Sequence, residues 1–91
     1  MDPPATAADA GPVGSKDRWD GFCAAFGGAV RARRERLGLS QEEFAHRADL
    51  DRTYVSGVER GVRNPTLRVI GRIAKALGTP AHKLLAAAER S

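Results

Sequence analysis

Four side chains that can donate or accept hydrogen bonds lie within five residues of this 91-residue chain: Arg52, Thr53, Tyr54 and Ser56. An arginine can bind both acceptors on the major-groove edge of guanine, and a threonine offers base edges a hydroxyl and a methyl group. We therefore expect the segment to read duplex DNA, with Arg52 as the first candidate for a bidentate guanine contact. The alternative for Arg52 is a plain surface charge, and Tyr54 could instead contact a phosphate or a methyl group.

The cysteine, histidines and glycines of this chain do not have the spacing of a catalytic or metal-binding site. Cys23 is the only cysteine, which excludes an internal disulfide and a thiolate zinc site. His46 and His82 lie far apart, outside any His-x-x-x-His or Cys/His spacing. Gly27-Gly28 is not followed by the Gly-Lys-Ser/Thr of a phosphate loop. We expect no enzyme activity, no metal and no cofactor, and interpret Cys23 as an apolar helix residue rather than a redox sensor.

A short helix is predicted just before the polar segment. Ser40 followed three residues later by Glu43 is typical of a capping box, so this helix, the second of the chain, starts near Gln41. Its buried face is predicted to consist of Phe44, Ala45 and Ala48.

A tight turn then leads into the third helix, which carries the polar segment. Asp49 tolerates a left-handed backbone, and Asp51 is a good N-cap, so the helix starts near Arg52. Gly61 is a suitable stop. Gly57 within the helix costs about 1 kcal/mol relative to alanine, which we explain by close approach to DNA or to a neighbouring helix. The apolar positions are Leu50 in the turn and Val55 and Val58 in the helix.

The first helix is predicted from about Trp19 or Phe22 to Leu37, with Gly38 as its left-handed C-terminal residue. Its apolar face is predicted to consist of Phe22, Phe26, Val30 and Leu37. Four arginines lie largely off that face: Arg31, Arg33, Arg34 and Arg36.

Two more helices complete an all-α, five-helix fold. Thr66 is predicted to cap the fourth, which runs to Gly78 with apolar residues at helical spacing: Leu67, Ile70, Ile73, Ala74 and Leu77. Thr79 followed by Pro80 predicts a cap with proline at the first helical position, and the fifth helix then runs to about Glu89.

Composition separates an N-terminal tail from a basic domain. Residues 1–18 are rich in Ala, Pro, Gly and Asp without periodicity, so we expect a disordered tail followed by a domain at 19–91. Beyond residue 20 the chain holds 13 basic and seven acidic residues, a net charge of +6. That charge suits a polyanion such as DNA, and equally suits a solvated surface.

The absence of membrane-spanning and signal-peptide patterns predicts a cytoplasmic protein. The chain has no apolar run approaching the ~20 residues of a membrane span, and its N-terminus lacks the basic and apolar regions of a signal peptide. A domain of roughly 70 residues buries a limited core, so dimerisation would add stability.

Four segments together carry a familiar pattern: residues 39–43, 52–56, 59–61 and 63–65. They resemble the Cro and phage-repressor (XRE-like) type of helix-turn-helix protein, over roughly residues 22–85. The resemblance implies a five-helix bundle of the lambda-repressor-like DNA-binding type. The Arg-Thr-Tyr opening of the third helix and the small size resemble the controller proteins of restriction-modification systems. Arg33 departs from the leucine common in the family, which could loosen packing or let the arginine stem cover apolar surface while its head reaches water.

The resemblance also implies roles for individual residues. Arg52 and Thr53 match positions that enter the major groove, with Tyr54 and Ser56 beside them. Arg34 and Glu59 match an ion pair between the first and third helices. The positions that match phosphate contacts are Gln41, Arg34, Arg60, Arg63, Asn64 and Thr66.

Together these features predict a transcription regulator that binds double-stranded DNA sequence-specifically as a homodimer on a palindromic operator. The third helices would enter successive major grooves ~34–36 Å apart. The expected dimer surface lies on the fifth helix with part of the fourth, because no later segment could cover its apolar residues: Ala81, Leu84, Leu85 and Ala88. The alternative is a DNA-binding antitoxin whose fifth helix or tail binds a toxin protein.

Overall fold

The computed structural model describes residues 16–90, which form five α-helices and no strand. The helices are α1 (Lys16–Arg36), α2 (Gln41–Ala48), α3 (Arg52–Glu59), α4 (Leu67–Ala76) and α5 (Ala81–Glu89). The all-α, five-helix prediction is therefore confirmed.

The start of α1 differs from the prediction. The helix begins at Lys16 rather than at Trp19 or Phe22, so residues 16–18 are helical instead of belonging to a disordered tail. No glycine or proline lies between Lys16 and Trp19 to stop the helix from extending upstream. The remainder of the predicted tail, residues 1–15, lies outside the described residues.

Each of the first four helices is followed within two positions by a residue with positive φ: Gly38 (72°), Asp49 (57°), Gly61 (79°) and Gly78 (64°). After α3 the N–H of Gly61 donates to the carbonyl of Val58, and that of Val62 donates to Gly57, both at 3.0 Å. This pair of bonds is a Schellman motif, which satisfies the last carbonyls of the helix while the chain reverses. The predicted helix stops are confirmed.

Two of the predicted N-caps form as expected. In the capping box of α2, the Glu43 N–H donates to Ser40 Oγ at 3.0 Å, and the Ser40 N–H donates to Glu43 Oε1 at 2.9 Å. Thr66 Oγ1 accepts from the Val69 N–H at 3.2 Å at the start of α4.

The other two N-caps require correction. Asp51 occupies the N-cap position of α3, but its side chain makes no capping hydrogen bond. Pro80, not Thr79, is the N-cap of α5, because its backbone is extended (φ −65°, ψ 145°) and the helix begins only at Ala81. Proline therefore lies just outside the helix rather than at its first position.

The hydrophobic core draws on all five helices. Its largest fully buried side chains are Phe44, Ile73, Leu77, Val30, Val55 and Val58. Two leucines assigned to apolar faces are instead exposed: Leu37 by 42% and Leu67 by 80%. Leu37 lies beyond the end of α1 and Leu67 is the first residue of α4, so neither is held on a packed helix face. Leu39, two residues after Leu37, enters the core instead.

Packing brings α1 close to α3. α1 contacts α3 and α5, α2 contacts α3 and α4, and α4 contacts α5. A Cβ built on Gly27 of α1 would lie 2.1 Å from the carbonyl oxygen of Val58 and 2.8 Å from that of Glu59. Gly27 is thus a packing residue, and its missing side chain lets the α3 backbone approach α1.

Two arginines join helices by binding C-terminal carbonyls. Arg33 Nε donates to the Leu77 carbonyl at 3.0 Å, and its Nη2 donates to Gly78 at 3.3 Å. The Arg33 head therefore binds the C-terminal end of α4, where a cation also interacts favourably with the helix dipole. Arg72 of α4 donates in the same way to the carbonyls of Ala48 and Asp49 at the end of α2.

The predicted dimer surface is wrong in two of its four residues. Leu84 (4% exposed) and Ala88 (3%) are buried within the domain, whereas Ala81 and Leu85 are partly exposed. The expectation failed because it considered only later segments, while α5 packs against the earlier helices α1 and α4.

Candidate nucleic-acid interface

The outer face of α3 carries polar side chains. Arg52, Thr53, Ser56 and Arg60 fall on one side by the period of about 3.6 residues per turn. Arg52, Thr53 and Arg60 are exposed and Ser56 is partly exposed. Val55 and Val58 lie away from this side and are buried, as predicted, and Glu59, about two turns beyond Arg52, is buried as well. The structure thus places three of the four predicted base-reading residues on one accessible surface.

Tyr54, the fourth predicted reader, lies across the helix from Arg52 and is partly buried. The guanidinium carbon of Arg63 lies 5.6 Å from the centre of its ring, within the range of a cation–π interaction. Tyr54 is therefore joined to a residue of the following loop and does not flank Arg52.

Next to the polar outer face of α3 lies a buried ion pair, as the family resemblance implied. Arg34 Nε donates to Glu59 Oε2 at 2.6 Å, and Arg34 Nη2 donates to Glu59 Oε1 at 2.9 Å. Arg34 Nη1 also donates to the Leu39 carbonyl at 2.8 Å. The hydrogen bonds that Arg34 donates to Glu59 raise the pKa of Arg34, which keeps the arginine charged. Because Arg34 is buried and bonded within the domain, we assign it a structural role, and its expected phosphate contact does not enter our proposal.

Gln41 connects this ion pair to the polar outer face of α3. Its Nε2 donates to Glu59 Oε1 at 3.0 Å, and its Oε1 accepts from Arg52 Nη1 at 3.4 Å. The first residue of α2 therefore lies beside the first residue of α3. This places the N-terminus of α2, where free N–H groups favour a phosphate, next to the main candidate for base contact.

The loop after α3 extends the accessible basic surface. Its predicted phosphate-binding residues are all exposed: Arg60, Arg63, Asn64 and Thr66. Glu59 is the only acidic residue within 52–66, and its carboxylate is buried against Arg34. The exposed part of this segment therefore carries only positive formal charge, which suits phosphate contacts.

Gly57 is buried against a different neighbour from those expected. A Cβ built there would lie 2.7 Å from Cγ of Arg63. The close approach that a glycine inside a helix indicated is real, but the neighbour is an arginine stem rather than a helix. Sequence reasoning missed both this contact and the Gln41–Arg52 hydrogen bond. Gly57 was a signal for the first contact, and no sequence pattern indicated the second.

The described residues offer little support for other kinds of site. No group of three or more His, Cys, Asp or Glu residues within 16–90 could hold a metal ion. Burial and the nearby Asp20 raise the pKa of the Cys23 thiol, which disfavours a reactive thiolate. None of the helices in this part of the chain is long and apolar enough to cross a membrane.

Comparisons with known proteins agree with this geometry. The helix-turn-helix family profile matches residues 30–84. Control protein C.BamHI of Bacillus amyloliquefaciens is 48% identical over 61 residues, which cover 66% of this chain and 75% of that protein. The restriction-modification controller protein C.AhdI from Aeromonas hydrophila has a crystal structure similar to this fold, with a TM-score of 0.67 and 45% identity over 68% of this chain and 94% of that chain.

A third relative was solved together with DNA. The restriction-modification controller protein C.Esp1396I, as a tetramer in complex with its natural 35 base-pair operator, has a TM-score of 0.68 and 29% identity, covering 77% of this chain and 96% of that chain. The region matched by the family profile contains α2, α3, α4 and their connections. The chain therefore belongs to the helix-turn-helix family, with restriction-modification controller proteins among its relatives.

Proposed function

We propose that this protein is a sequence-specific, double-stranded DNA-binding transcription regulator of the restriction-modification controller type. The observation that carries the proposal is the exposed polar face of α3, formed by Arg52, Thr53 and Arg60, with Arg52 beside the N-terminus of α2. The relatives support it, since one is a control protein and another was solved on its operator. A role on DNA also places the protein in the cytoplasm.

In the proposed complex, α3 enters the major groove and the flanking residues bind the backbone. Arg52 and Thr53 contact base edges, and the less exposed Ser56 lies on the same face of α3. The phosphate contacts come from both ends of the motif: Gln41 at the start of α2, and Arg60, Arg63, Asn64 and Thr66 after α3.

The proposal includes a two-fold homodimer on a palindromic operator. The tetramer of C.Esp1396I on its operator shows that a relative binds DNA as an oligomer. The burial of Leu84 and Ala88 leaves Ala81 and Leu85 as the partly exposed apolar residues of the proposed α5 surface. This smaller surface on α5, with part of α4, is where we place the dimer contact.

Selection of bound duplexes from a random pool tests specificity and symmetry together. The expected result is a two-fold symmetric sequence whose half-sites lie about one turn apart, ~34–36 Å. Recovery of random sequences would contradict sequence-specific binding.

Arg52→Ala tests the assigned reading residue. We expect a loss of discrimination at one base pair in each half-site, of about 1–3 kcal/mol. Arg47→Ala is the matched control, because it removes the same charge from the exposed far end of α2. If Arg52→Ala leaves both affinity and base preference unchanged, α3 does not read DNA through this residue.

The alternatives from other classes gain no support. The helix-turn-helix family consists of regulatory DNA-binding proteins rather than enzymes. The three relatives described above are a control protein and two restriction-modification controller proteins, which favours the regulator over the antitoxin alternative.

A further inference from the structure

The starting observation is a side chain in contact with bare helix backbone. Gly57 is buried in the middle of α3. A Cβ built there would lie 2.7 Å from Cγ, 3.0 Å from Nε and 3.4 Å from Cδ of Arg63. The stem of Arg63 therefore occupies the space that a side chain at position 57 would fill.

The end of α3 directs Arg63 to this place. The chain reverses at Gly61, where φ is +79°. The reversal is held by the N–H of Val62, which donates to the carbonyl of Gly57 at 3.0 Å. The reversal brings Arg63 back alongside α3, and its side chain lies over Gly57.

The guanidinium group of Arg63 also has a defined contact, with the ring of Tyr54. Its guanidinium carbon lies 5.6 Å from the centre of the Tyr54 ring, while the residue as a whole stays exposed. By the helical period of about 100° per residue, Gly57 lies between Thr53 and Tyr54 around the axis of α3. Arg63 therefore covers the strip between a predicted reading residue and Tyr54.

We infer that Gly57 is a positioning residue: its missing side chain holds Arg63 against α3, so that Arg63 and Tyr54 form one preordered part of the base-reading surface. This inference rests on the proposed DNA-binding function and deepens it, because Arg63 becomes a specificity-determining residue rather than only a phosphate contact. Since its stem is already ordered, Arg63 loses less conformational freedom when DNA binds.

The arrangement can be tested without DNA by NMR of the free protein. Side-chain protons of Arg63 should show ring-current shifts from Tyr54 in the wild type, and Gly57→Ala should reduce those shifts. Tyr54→Leu should abolish them. Shifts that are absent in the wild type, or unchanged in Gly57→Ala, would overturn the positioning role whatever the protein binds.

Affinity for the selected operator tests the consequence. Gly57→Ala should bind about three- to tenfold more weakly, because the displaced arginine must be ordered on binding. Gly71→Ala is the matched control: Gly71 also lies inside a helix, but a Cβ there has no neighbour within 4 Å. Equal affinities of the two variants, both folded by circular dichroism, would contradict the inference.

A double-mutant cycle separates positioning from direct contact with DNA. In the Arg63→Ala background Cγ is absent, so adding Gly57→Ala should weaken binding no further. A second loss as large as in the wild-type background would mean that the new methyl group itself meets DNA or distorts α3, which overturns the inference.

Base preference tests the specificity role of Arg63. Arg63→Ala should relax preference at one position of each half-site, whereas uniform weakening would leave it a phosphate contact and overturn that role. If the wild type binds no duplex, the proposed function fails, and the NMR experiment still decides whether Gly57 positions Arg63.

Discussion

Arginine takes several structural roles in this small domain, and its surroundings decide which. Arg34 is buried in a bidentate pair with Glu59. Arg33 and Arg72 donate to the C-terminal carbonyls of other helices. Arg52 is exposed on the proposed reading face. In the sequence these four arginines look alike, and only the contacts of each one distinguish a structural residue from a proposed DNA contact.

The buried pair should be far more important for stability than an exposed one. Glu59→Ala leaves the Arg34 charge buried and unpaired, and should lower the free energy of unfolding by about 3–5 kcal/mol. The control is Glu35→Ala, which breaks the exposed Arg31–Glu35 pair (3.1 Å) and should change it by no more than about 0.5 kcal/mol. Urea unfolding measures both, and similar losses would refute the structural role of the pair.

The capping box predicts a pH-dependent contribution to stability. The hydrogen bond from the Ser40 backbone N–H, followed by that with its side chain, lowers the pKa of Glu43. A lowered pKa in the folded state stabilises the fold above the ordinary glutamate value of about 4.3, and this contribution is lost as pH falls through the folded-state pKa. The stability advantage of wild type over Glu43→Gln should therefore be constant near neutral pH and shrink below about pH 4. An advantage that grows on acidification would contradict the assignment.

At the scale of helices, small residues determine how closely elements approach and where they end. Gly27 lets the backbone of α3 approach α1, and this approach accompanies the Arg34–Glu59 pair between the same two helices. Gly61 ends α3 and also lies against Ala24 of α1, since a Cβ there would be 2.6 Å from Ala24 Cα. Substitution of Gly27 should therefore act through helix packing, whereas substitution of Gly61 would also strain its left-handed backbone.

Adjacent glycines of α1 provide a matched test. Gly27→Ala would press a methyl group against two carbonyl oxygens of α3, and should lower the free energy of unfolding by about 1–3 kcal/mol. Gly28→Ala has open space, and should raise it by up to about 1 kcal/mol through helix propensity. Thermal or urea unfolding gives the signs, and two changes of the same sign would show that α1 and α3 are not in such close contact.

At the scale of the whole molecule, α5 uses most of its apolar face to pack within its own domain, and only the remainder is available to a second copy. It packs on α1 and α4 and buries Leu84 and Ala88, so the apolar surface left for a second copy is smaller than the sequence suggested. The proposed dimer must therefore use the remaining part of α5 around Ala81 and Leu85, with part of α4.

Adjacent residues of α5 separate folding from assembly. Leu85→Glu should shift sedimentation towards monomer with little loss of the fold, because Leu85 is partly exposed. His82→Glu, on an exposed position of the same helix, is the control for added negative charge. Leu84→Ala should instead lower the free energy of unfolding by about 2–5 kcal/mol. A dimer that resists Leu85→Glu would place the contact elsewhere.

Local patterns were enough to predict the five helices and most of their ends, although α1 begins at Lys16 and α5 only at Ala81. The Ser40–Glu43 capping box, the left-handed Asp49 and the glycine stops depend on residues within a few positions of one another, so chain neighbours determine them. The apolar spacing of α2 and α3 also identified their buried faces. Errors fell at helix ends, where Leu37 and Leu67 lie outside the packed faces.

The sequence by itself therefore determined the five-helix order, the motif around α2 and α3, and the residues proposed to read DNA. Tertiary structure decided how separate segments combine: Gln41 beside Arg52, Arg63 over Gly57, and α5 folded onto α1. The physical reason is the separation along the sequence of the residues that interact. Caps and helix periods depend on bonds between near neighbours, whereas these contacts depend on the packing of helices in three dimensions, which no local pattern encodes.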